Sequence, residues 1–412
     1  MKLLNDTLTI VLADSEGKGL QPLTADRTKS AMPFGGKYRL IDFPLTNCLH
    51  SGLRRILVMT KYQSHSLHKH LRDGWSVFNP ELGEYITAVP PQVRAEGGWD
   101  SSVAHSIHQN INLLERSSAK WVLVLQGDHV YRMDYQPLIQ AHVERGADVT
   151  LATCSSSLEN SHQVRDVKFN DDLCITGLSD HHSADQTDDE RRAVNASMGV
   201  YVFSADVLKR EVADAVAKAD VTSDLATSDF ERTVIDVIIK NGKAFAYPFG
   251  SPAGRVSQDK YWRNINSIDE YYTANMELLN PVPSVDLYQK SWPIRTYSGQ
   301  YPPARNAPGA LGHEGISINS IASTGSVICG GKVQGSILFN DVYVGEEAII
   351  ESSLLLDGVI VGEGAMLRNC IVDEGVTIPD GEVVGHDERV DKARFMLTDG
   401  GLVVIPKGFV FS

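Results

Sequence analysis

Cysteine is scarce in this chain, and its spacing argues against two classes of protein. Five cysteines are spread over 412 residues, and no two of them form a CxxC pair. Structural zinc sites need closely paired ligands, and small secreted proteins need an even set of cysteines for disulfides. The sequence therefore predicts free thiols in a reducing compartment.

Basic residues are outnumbered as well. Lys and Arg total 38 against 52 for Asp and Glu, which gives a formal net charge of −14. Nucleic-acid-binding proteins normally carry a basic surplus. We therefore expect no nucleic-acid partner, although an acidic total still allows a local basic pocket for phosphate groups.

Long apolar stretches are also missing. No run reaches the roughly 18 apolar residues that a membrane-spanning helix needs. The opening residues, MKLLND, become polar before the apolar core of a signal peptide forms. We expect no membrane partner and a cytoplasmic location.

The first two thirds of the chain alternate between apolar, β-branched runs and helical patterns. Strands are predicted at residues 8–12, 55–59, 121–125 and 148–152, and helices at 44–50 and 135–144. This alternation indicates an α/β fold with a mostly parallel sheet covered on both faces. Ligands bind such sheets at the carboxyl ends of the strands, so the loops after Leu12 and Leu125 are the expected binding region.

The last hundred residues show a different sequence pattern, in which aliphatic residues recur every 17 positions. Four such registers are Val342, Val359 and Val376; Val344, Val361 and Ile378; Ile350, Leu367 and Val384; and Ile337, Leu354 and Ile371. Three short strands per coil give a period near this value and define a β-helix. The predicted divisions are an α/β domain over 1–280, a linker over 281–311 and a β-helix over 312–412.

A β-helix alone would also suit a hexapeptide-repeat acyltransferase, which uses a histidine base beside its coils. His313 and His386 flank the coils but stand outside the repeating registers. The pattern therefore favours a β-helix that holds subunits together.

Five motifs together give the chain a specific resemblance. They are residues 33–43 (PFGGKYRLIDF), 127–131 (GDHVY), 197–203 (SMGVYVF), 261–263 (YWR) and 292–297 (WPIRTY). They resemble the bacterial ADP-glucose pyrophosphorylases, also called glucose-1-phosphate adenylyltransferases. The resemblance implies a Rossmann-like nucleotidyltransferase domain, a C-terminal left-handed parallel β-helix and a homotetramer or heterotetramer. It also implies synthesis of ADP-glucose for glycogen or starch from ATP and glucose 1-phosphate.

The implied reaction sets clear requirements. A phosphate oxygen of the sugar phosphate attacks the α-phosphorus of ATP, and pyrophosphate leaves. Mg²⁺ on carboxylates, cationic side chains and a glycine-lined cradle stabilise the charge. By resemblance, the parts retained here are the catalytic Lys29, the metal-binding Asp128 and the substrate-binding Gln92, Gly127 and Ser197.

Other parts are replaced. The family's phosphate loop, Gly-Gly-x-Gly-x-Arg-Leu, reads DSEGKGL over residues 14–20, so Asp14 and Ser15 replace glycines and Gly19 replaces the arginine. Side chains fill the space that bare backbone would leave, and Asp14 brings a negative charge toward a triphosphate. Further replacements, again by resemblance, are Asn264 for the second metal aspartate, His105 for another aspartate, and Ser179 and Asp180 for the Glu-Lys pair that holds the sugar phosphate.

These changes predict an inactive or weakly active chain with an incomplete Mg²⁺ site at Asp128. Losing one preorganised stabilising group costs about 10²–10³ in rate, and several are lost together. Four arginines match the family's site for anionic effectors such as AMP, phosphate or sugar phosphates, namely Arg27, Arg39, Arg116 and Arg394.

Three hypotheses follow. The first is a regulatory partner of an active homologous subunit. The second is a working adenylyltransferase with a rearranged Mg²⁺ site, in which Lys18 substitutes for the lost arginine. The third is a free-standing sensor that binds a nucleotide or sugar phosphate without turnover.

Overall fold

A computed structural model describes residues 2–91, 102–156, 165–180, 194–218, 230–250 and 260–411. Contacts divide the chain into two compact units. Unit 1 consists of Met1–Ser15, Phe43–Lys61 and Ser76–Trp262, and unit 2 of Glu16–Asp42, Tyr62–Trp75 and Arg263–Ser412. Unit 2 therefore combines two early segments with the C-terminal residues, whereas the sequence suggests a linear division.

The helices of the described residues are short. They are α1 (Lys2–Asn5), α2 (Asp42–His50), α3 (His65–Gly74), α4 (Val103–Gln109), α5 (Ile111–Ser117), α6 (Tyr135–Arg145), α7 (Ala205–Lys218), α8 (Asp236–Asn241), α9 (Ile268–Met276) and α10 (Glu388–Lys392). Single 3₁₀ turns cover Lys18–Leu20, Lys29–Ala31, Pro80–Leu82 and Glu277–Leu279, and a π-helical turn covers Glu231–Ile235. None of the described helices combines the length and apolarity that crossing a bilayer requires.

Most strands before the C-terminal repeats are longer than the strands of two or three residues within them. The first group is β1 (Thr7–Ala13), β2 (Pro33–Phe34), β3 (Tyr38–Arg39), β4 (Arg55–Thr60), β5 (Tyr85–Val89), β6 (Trp121–Gln126), β7 (His129–Tyr131), β8 (Val149–Ser156), β9 (Arg165–Phe169), β10 (Ile175–Asp180), β11 (Val194–Ser204), β12 (Ala244–Pro248) and β13 (Trp262–Asn264). The second group is β14 (Arg305–Ala307), β15 (Ile316–Ile318), β16 (Ile321–Ala322), β17 (Val327–Cys329), β18 (Lys332–Gln334), β19 (Ile337–Leu338), β20 (Tyr343–Val344), β21 (Ile349–Glu351), β22 (Leu354–Leu355), β23 (Ile360–Val361), β24 (Met366–Arg368), β25 (Cys370–Val372), β26 (Thr377–Ile378), β27 (Val383–Val384), β28 (Met396–Leu397) and β29 (Val403–Ile405).

Unit 1 is built on a sheet whose order in the described residues is β10-β9-β11-β6-β1-β4-β5, with β8 pairing both β11 and β12. Strand β1 runs parallel to β4 and β6, and every one of its residues is buried. Fully buried strands of this kind are typical of a sheet covered on both faces. The predicted α/β fold and its four strands are confirmed, with β11 adding antiparallel pairings.

Unit 2 contains the coils of a left-handed parallel β-helix, as predicted. Its three sheets are β14-β17-β20-β23-β26, β15-β18-β21-β24-β27 and β16-β19-β22-β25-β29-β28. The pairing is parallel except between β28 and β29. The first coil strand, β14, begins within the segment that the sequence suggests as a linker.

The 17-residue registers do not all face the interior of the coils. Three of them line the central apolar column, as expected. In the third sheet, however, the column contains Leu338, Leu355 and Val372, the neighbours of Ile337, Leu354 and Ile371. Adjacent strand residues point to opposite faces, so the Ile337 register faces outward and is buried there against other parts of unit 2. Gly36 lies against this outer face, where an added Cβ would be 3.6 Å from Ile337.

Candidate functional site

Three charged residues follow neighbouring parallel strands of unit 1. Asp14 comes after β1, Lys61 after β4, and Asp128 shortly after β6. Burial raises the pKa of Asp14 to about 6, the Lys61 ammonium opposes this rise, and the Asp128 carboxylate adds to it. The edge of the sheet formed by the carboxyl ends of its parallel strands therefore carries two carboxylates, Asp14 and Asp128, and the charge on each disfavours ionisation of the other.

Asp128 and Gly127 lie in a rigid turn between β6 and β7. The N–H of Gly127 donates to the carbonyl of Leu12 at 2.8 Å, which ties the turn to the end of β1. His129 contacts the carbonyl of Met198 through Nδ1 at 3.0 Å, and Trp262 Nε1 donates to the same oxygen at 3.2 Å. Asp128 is 5% exposed, so its carboxylate is fixed by buried surroundings.

The residues that match the family's phosphate loop are 14–20, and those from Lys18 to Leu20 form a 3₁₀ turn. Gly17 has φ of +66°, while neither Asp14 nor Ser15 has a positive φ. A Cβ added to Gly19 would overlap the carbonyl oxygen of Asn266. The position of the family arginine therefore has no room for any side chain in this conformation.

Lys29 is held by two side-chain amides. Its Nζ donates to Oδ1 of Asn264 at 3.0 Å and to Oδ1 of Asn266 at 3.1 Å. Lys29 itself is buried, at 4% exposure, in the turn Lys29–Ala31. Both of these partners are neutral amides, so neither supplies a negative charge to the ammonium.

The two positions where the resemblance implies metal-binding aspartates carry different side chains. Asp128 in unit 1 is a carboxylate, whereas Asn264 in unit 2 is a neutral amide whose oxygen accepts a hydrogen bond from Lys29. Among the described residues, no three His, Cys, Asp or Glu side chains are grouped to hold a metal ion. Mg²⁺ prefers carboxylate and phosphate oxygens, so the amide of Asn264 is a poorer ligand for it than an aspartate.

Ser197, the expected sugar contact, is bound by a carboxylate from elsewhere in unit 1. Its hydroxyl donates to Oε1 of Glu231 at 2.6 Å, and the hydroxyl of Tyr201 donates to the same oxygen. Glu231 begins the π-helical turn, a feature often associated with functional sites. The hydroxyl groups of Ser197 and Tyr201 are therefore both hydrogen-bonded to the Glu231 carboxylate.

Asp180, which replaces the family lysine, is neutralised by arginines. Arg165 Nε lies 3.1 Å from Oδ1 of Asp180, and Arg232 Nη2 lies 2.5 Å from Oδ2. Arg165 also pairs with Asp236 at 3.0 Å. Ser179 lies beside Asp180 on β10, opposite Asp166 of β9. The negative charge at Asp180 is therefore balanced within unit 1.

Three of the four expected effector arginines belong to unit 2 and are engaged in it. Arg27 pairs with Asp373 and Glu374, and Arg394 Nη1 pairs with Oε1 of Glu382 at 2.8 Å. Arg39 Nη1 donates to the carbonyl of Ser66 at 3.4 Å.

The remaining expected residues are dispersed. Arg116 lies exposed in the last turn of α5 in unit 1. His105 lies in the first turn of α4, where its N–H donates to Oγ of Ser102 at 3.1 Å. Gln92 lies outside the described residues.

Sequence reasoning missed the residues that bind the side chains of the expected site residues. These partners are Asn266, Glu231, Arg165, Arg232, Asp373 and Glu374. The only local signal was the unusual charge at Asp180, which requires a cationic neighbour if the residue is to be partly buried.

The chain matches known proteins along nearly its whole length. A nucleotidyl transferase family model matches residues 8–281, and a model of the GlmU-like C-terminal hexapeptide region matches residues 302–405. Glucose-1-phosphate adenylyltransferase 2 of Vibrio cholerae is 48% identical over 410 residues, covering 99% of this chain and 100% of the relative. The protein of the same name from Vibrio vulnificus is 47% identical over 420 residues, with the same coverage. That of Pseudoalteromonas atlantica is 38% identical over 409 residues, covering 98% and 95%.

Proposed function

This chain belongs to the nucleotidyl transferase family, alongside the glucose-1-phosphate adenylyltransferases, and on that premise we propose that it is a catalytically impaired regulatory subunit. It assembles with an active homologue, or with copies of itself as a homotetramer, and binds an anionic effector. The effector is AMP, phosphate or a sugar phosphate, and its binding changes the rate of the active partner. Reciprocal coupling of this kind needs two sites that share a conformational equilibrium.

The observation that carries the proposal is the hydrogen bond from Lys29 to Asn264. An aspartate at position 264 would give Mg²⁺ a second carboxylate, and Asn264 instead binds an ammonium. Without that carboxylate, the charge that develops on the departing pyrophosphate loses part of its stabilisation.

Two further features point the same way. Asp14 introduces a carboxylate at the binding edge, where a triphosphate needs positive charge. Gly19 packs so closely on Asn266 that no arginine side chain can reach out from that position. Rate losses from catalytic residues that act together do not simply multiply, but each replacement removes a group that acts on the transition state.

The second candidate is an active glucose-1-phosphate adenylyltransferase, and the near-complete match to relatives of that name favours it. It would convert ATP and glucose 1-phosphate to ADP-glucose and pyrophosphate with Mg²⁺. Lys29 and Asp128 would then keep the catalytic and metal-binding roles that the resemblance implies for them.

Turnover by the purified full-length chain separates the two candidates. The regulatory proposal predicts a rate far below the ~1–10³ s⁻¹ of ordinary enzymes. The matched control is Lys29→Met, because a trace activity that survives this substitution comes from a contaminating enzyme. An ordinary rate that Lys29→Met abolishes would establish the active enzyme instead.

A mixing experiment tests the regulatory role itself. The chain is combined with an intact homologous adenylyltransferase, and the rate is measured with and without AMP or phosphate. We expect the mixture to respond to effector differently from the homologue alone. If the rate and the effector response stay unchanged at saturating chain, the regulatory role is wrong.

A further inference from the structure

Arg27 is a buried cation balanced by one turn of the β-helix. Its guanidinium is 4% exposed and contacts Oδ1 of Asp373 at 2.6 Å and Oε1 of Glu374 at 3.1 Å. Burial lowers the pKa of Arg27, and the two carboxylates more than offset that effect, so the pKa lies above its ordinary value. The guanidinium is thus a strong and permanent anion binder.

The two carboxylates differ in how firmly they are held. Asp373 is only 2% exposed, and its Oδ1 also accepts the N–H of Glu374 at 2.8 Å. The Glu374 side chain is 25% exposed and reaches outward, where its Oε2 lies 3.4 Å from Nζ of Lys407. Asp373 is therefore held firmly in place, whereas Glu374 would still have Lys407 as an ionic partner if it left Arg27.

Glu374 lies among several cations. Besides Arg27 and Lys407, it acts on Arg39, since burial lowers the pKa of Arg39 and the Glu374 carboxylate opposes that shift. Other carboxylates near these cations are Asp42 and Asp357. Glu374 therefore stands where the anionic group of a ligand would be most strongly attracted.

We propose that Glu374 is a built-in competitor of the anionic effector, and that a phosphate dianion binds by displacing its carboxylate from Arg27. This inference rests on the effector site of the proposed function, not on the loss of catalysis. A phosphate group carries more charge than one carboxylate and offers oxygens for bidentate guanidinium bonds. The displaced Glu374 keeps its existing ion pair with Lys407, which offsets part of the cost of losing Arg27.

Competition from Glu374 sets the concentration that the effector must exceed in order to bind. A tethered group acts at an effective concentration of about millimolar. A singly charged anion of similar strength must exceed that concentration to displace it. Glu374 therefore favours dianionic phosphate groups, which carry more charge than one carboxylate, over singly charged anions.

The test is calorimetric binding of inorganic phosphate and, separately, of AMP to the full-length chain. Glu374→Gln keeps the side-chain shape and removes the competing charge, so we expect about tenfold tighter phosphate binding. Glu363→Gln is the matched control, because it makes the same change of net charge at an exposed position of the same β-helix. A gain for AMP but not for phosphate would identify the nucleotide as the ligand and equally support displacement at Arg27.

The possible outcomes distinguish a failure of the Glu374 proposal from a failure of the effector site itself. Equal phosphate and AMP affinities for wild type and Glu374→Gln would overturn the competitor and leave the effector site standing. Failure of both proteins to bind either anion would overturn both proposals. Thermal unfolding in phosphate provides a second readout, because a ligand that binds only the folded chain raises its melting temperature. A larger rise for Glu374→Gln than for wild type supports displacement, and equal rises contradict it.

Discussion

The ammonium of Lys29 donates a hydrogen bond to the side-chain amide oxygen of Asn264 at 3.0 Å, across 235 positions of the sequence. A neighbouring amide, Asn266, accepts a second hydrogen bond from the same ammonium. Two neutral groups thus hold a cation at the position where the family resemblance implies a metal-binding carboxylate.

Restoring that carboxylate should restore part of the activity. For Asn264→Asp we expect Mg²⁺-dependent turnover to rise at least tenfold above the wild-type background, measured as pyrophosphate release. Asn266→Asp is the matched control, since it places the same charge on the same ammonium at the other amide. If both variants respond equally, the gain comes from pairing with Lys29 and not from a metal ligand.

Glu231 should limit sugar phosphate binding through its hold on Ser197 and Tyr201. Glu231→Gln removes the charge that engages both hydroxyls, so we expect glucose 1-phosphate to bind about tenfold tighter by calorimetry, a gain of about 1.4 kcal/mol. Asp236→Asn is the control, because Asp236, like Glu231, lies beside Arg165, whereas the Ser197 hydroxyl donates to Glu231. A weaker affinity in Glu231→Gln would mean that the carboxylate itself binds the sugar.

Asp14 should make the folded state less stable as the pH rises. Its folded pKa of about 6 exceeds the ordinary value of 3.8, so between these values the folded chain binds more protons than the unfolded chain. Stability from this group is present at acidic pH and is lost as the pH rises through about 6. Asp14→Asn should therefore be more stable than wild type at pH 7 by about 1–3 kcal/mol, since one pKa unit corresponds to about 1.4 kcal/mol.

Urea unfolding of both proteins at a series of pH values checks this. The difference in unfolding free energy should be small near pH 4 and should level off above pH 7. A difference that does not vary with pH would show that Asp14 acts through its shape and not its charge.

In the β-helix sheet that contains β21, truncation should be costly on the inner face only. Ile350 is fully buried, while its neighbour Ile349 on β21 is partly exposed. We expect Ile350→Ala to destabilise unit 2 by about 2–5 kcal/mol and Ile349→Ala by less than about 1 kcal/mol. The urea midpoint of the β-strand circular dichroism signal measures both, and equal losses would contradict the assigned register.

Much of the fold follows from local pattern. Alternating apolar runs predicted β1, β4, β6 and β8, because burial on both faces of a sheet leaves an unbroken apolar stretch in the sequence. The 17-residue repeat predicted the coils, since stacked coils require the same residue type at the same position. The repeat did not distinguish the Ile337 register from the inward ones, because an outward position that is buried by another segment has the same aliphatic composition as an inward one.

The sequence by itself determined the family, the two kinds of fold and the replaced positions at Asp14, Gly19, Asp180 and Asn264. Only the tertiary structure decided what those positions and the retained cations bind. Lys29 meets Asn264, and Arg27 meets Asp373 across 346 residues. Periodicity and motif spacing report local geometry, whereas the partner of a charged side chain depends on which distant segment is folded against it and whether water is excluded there.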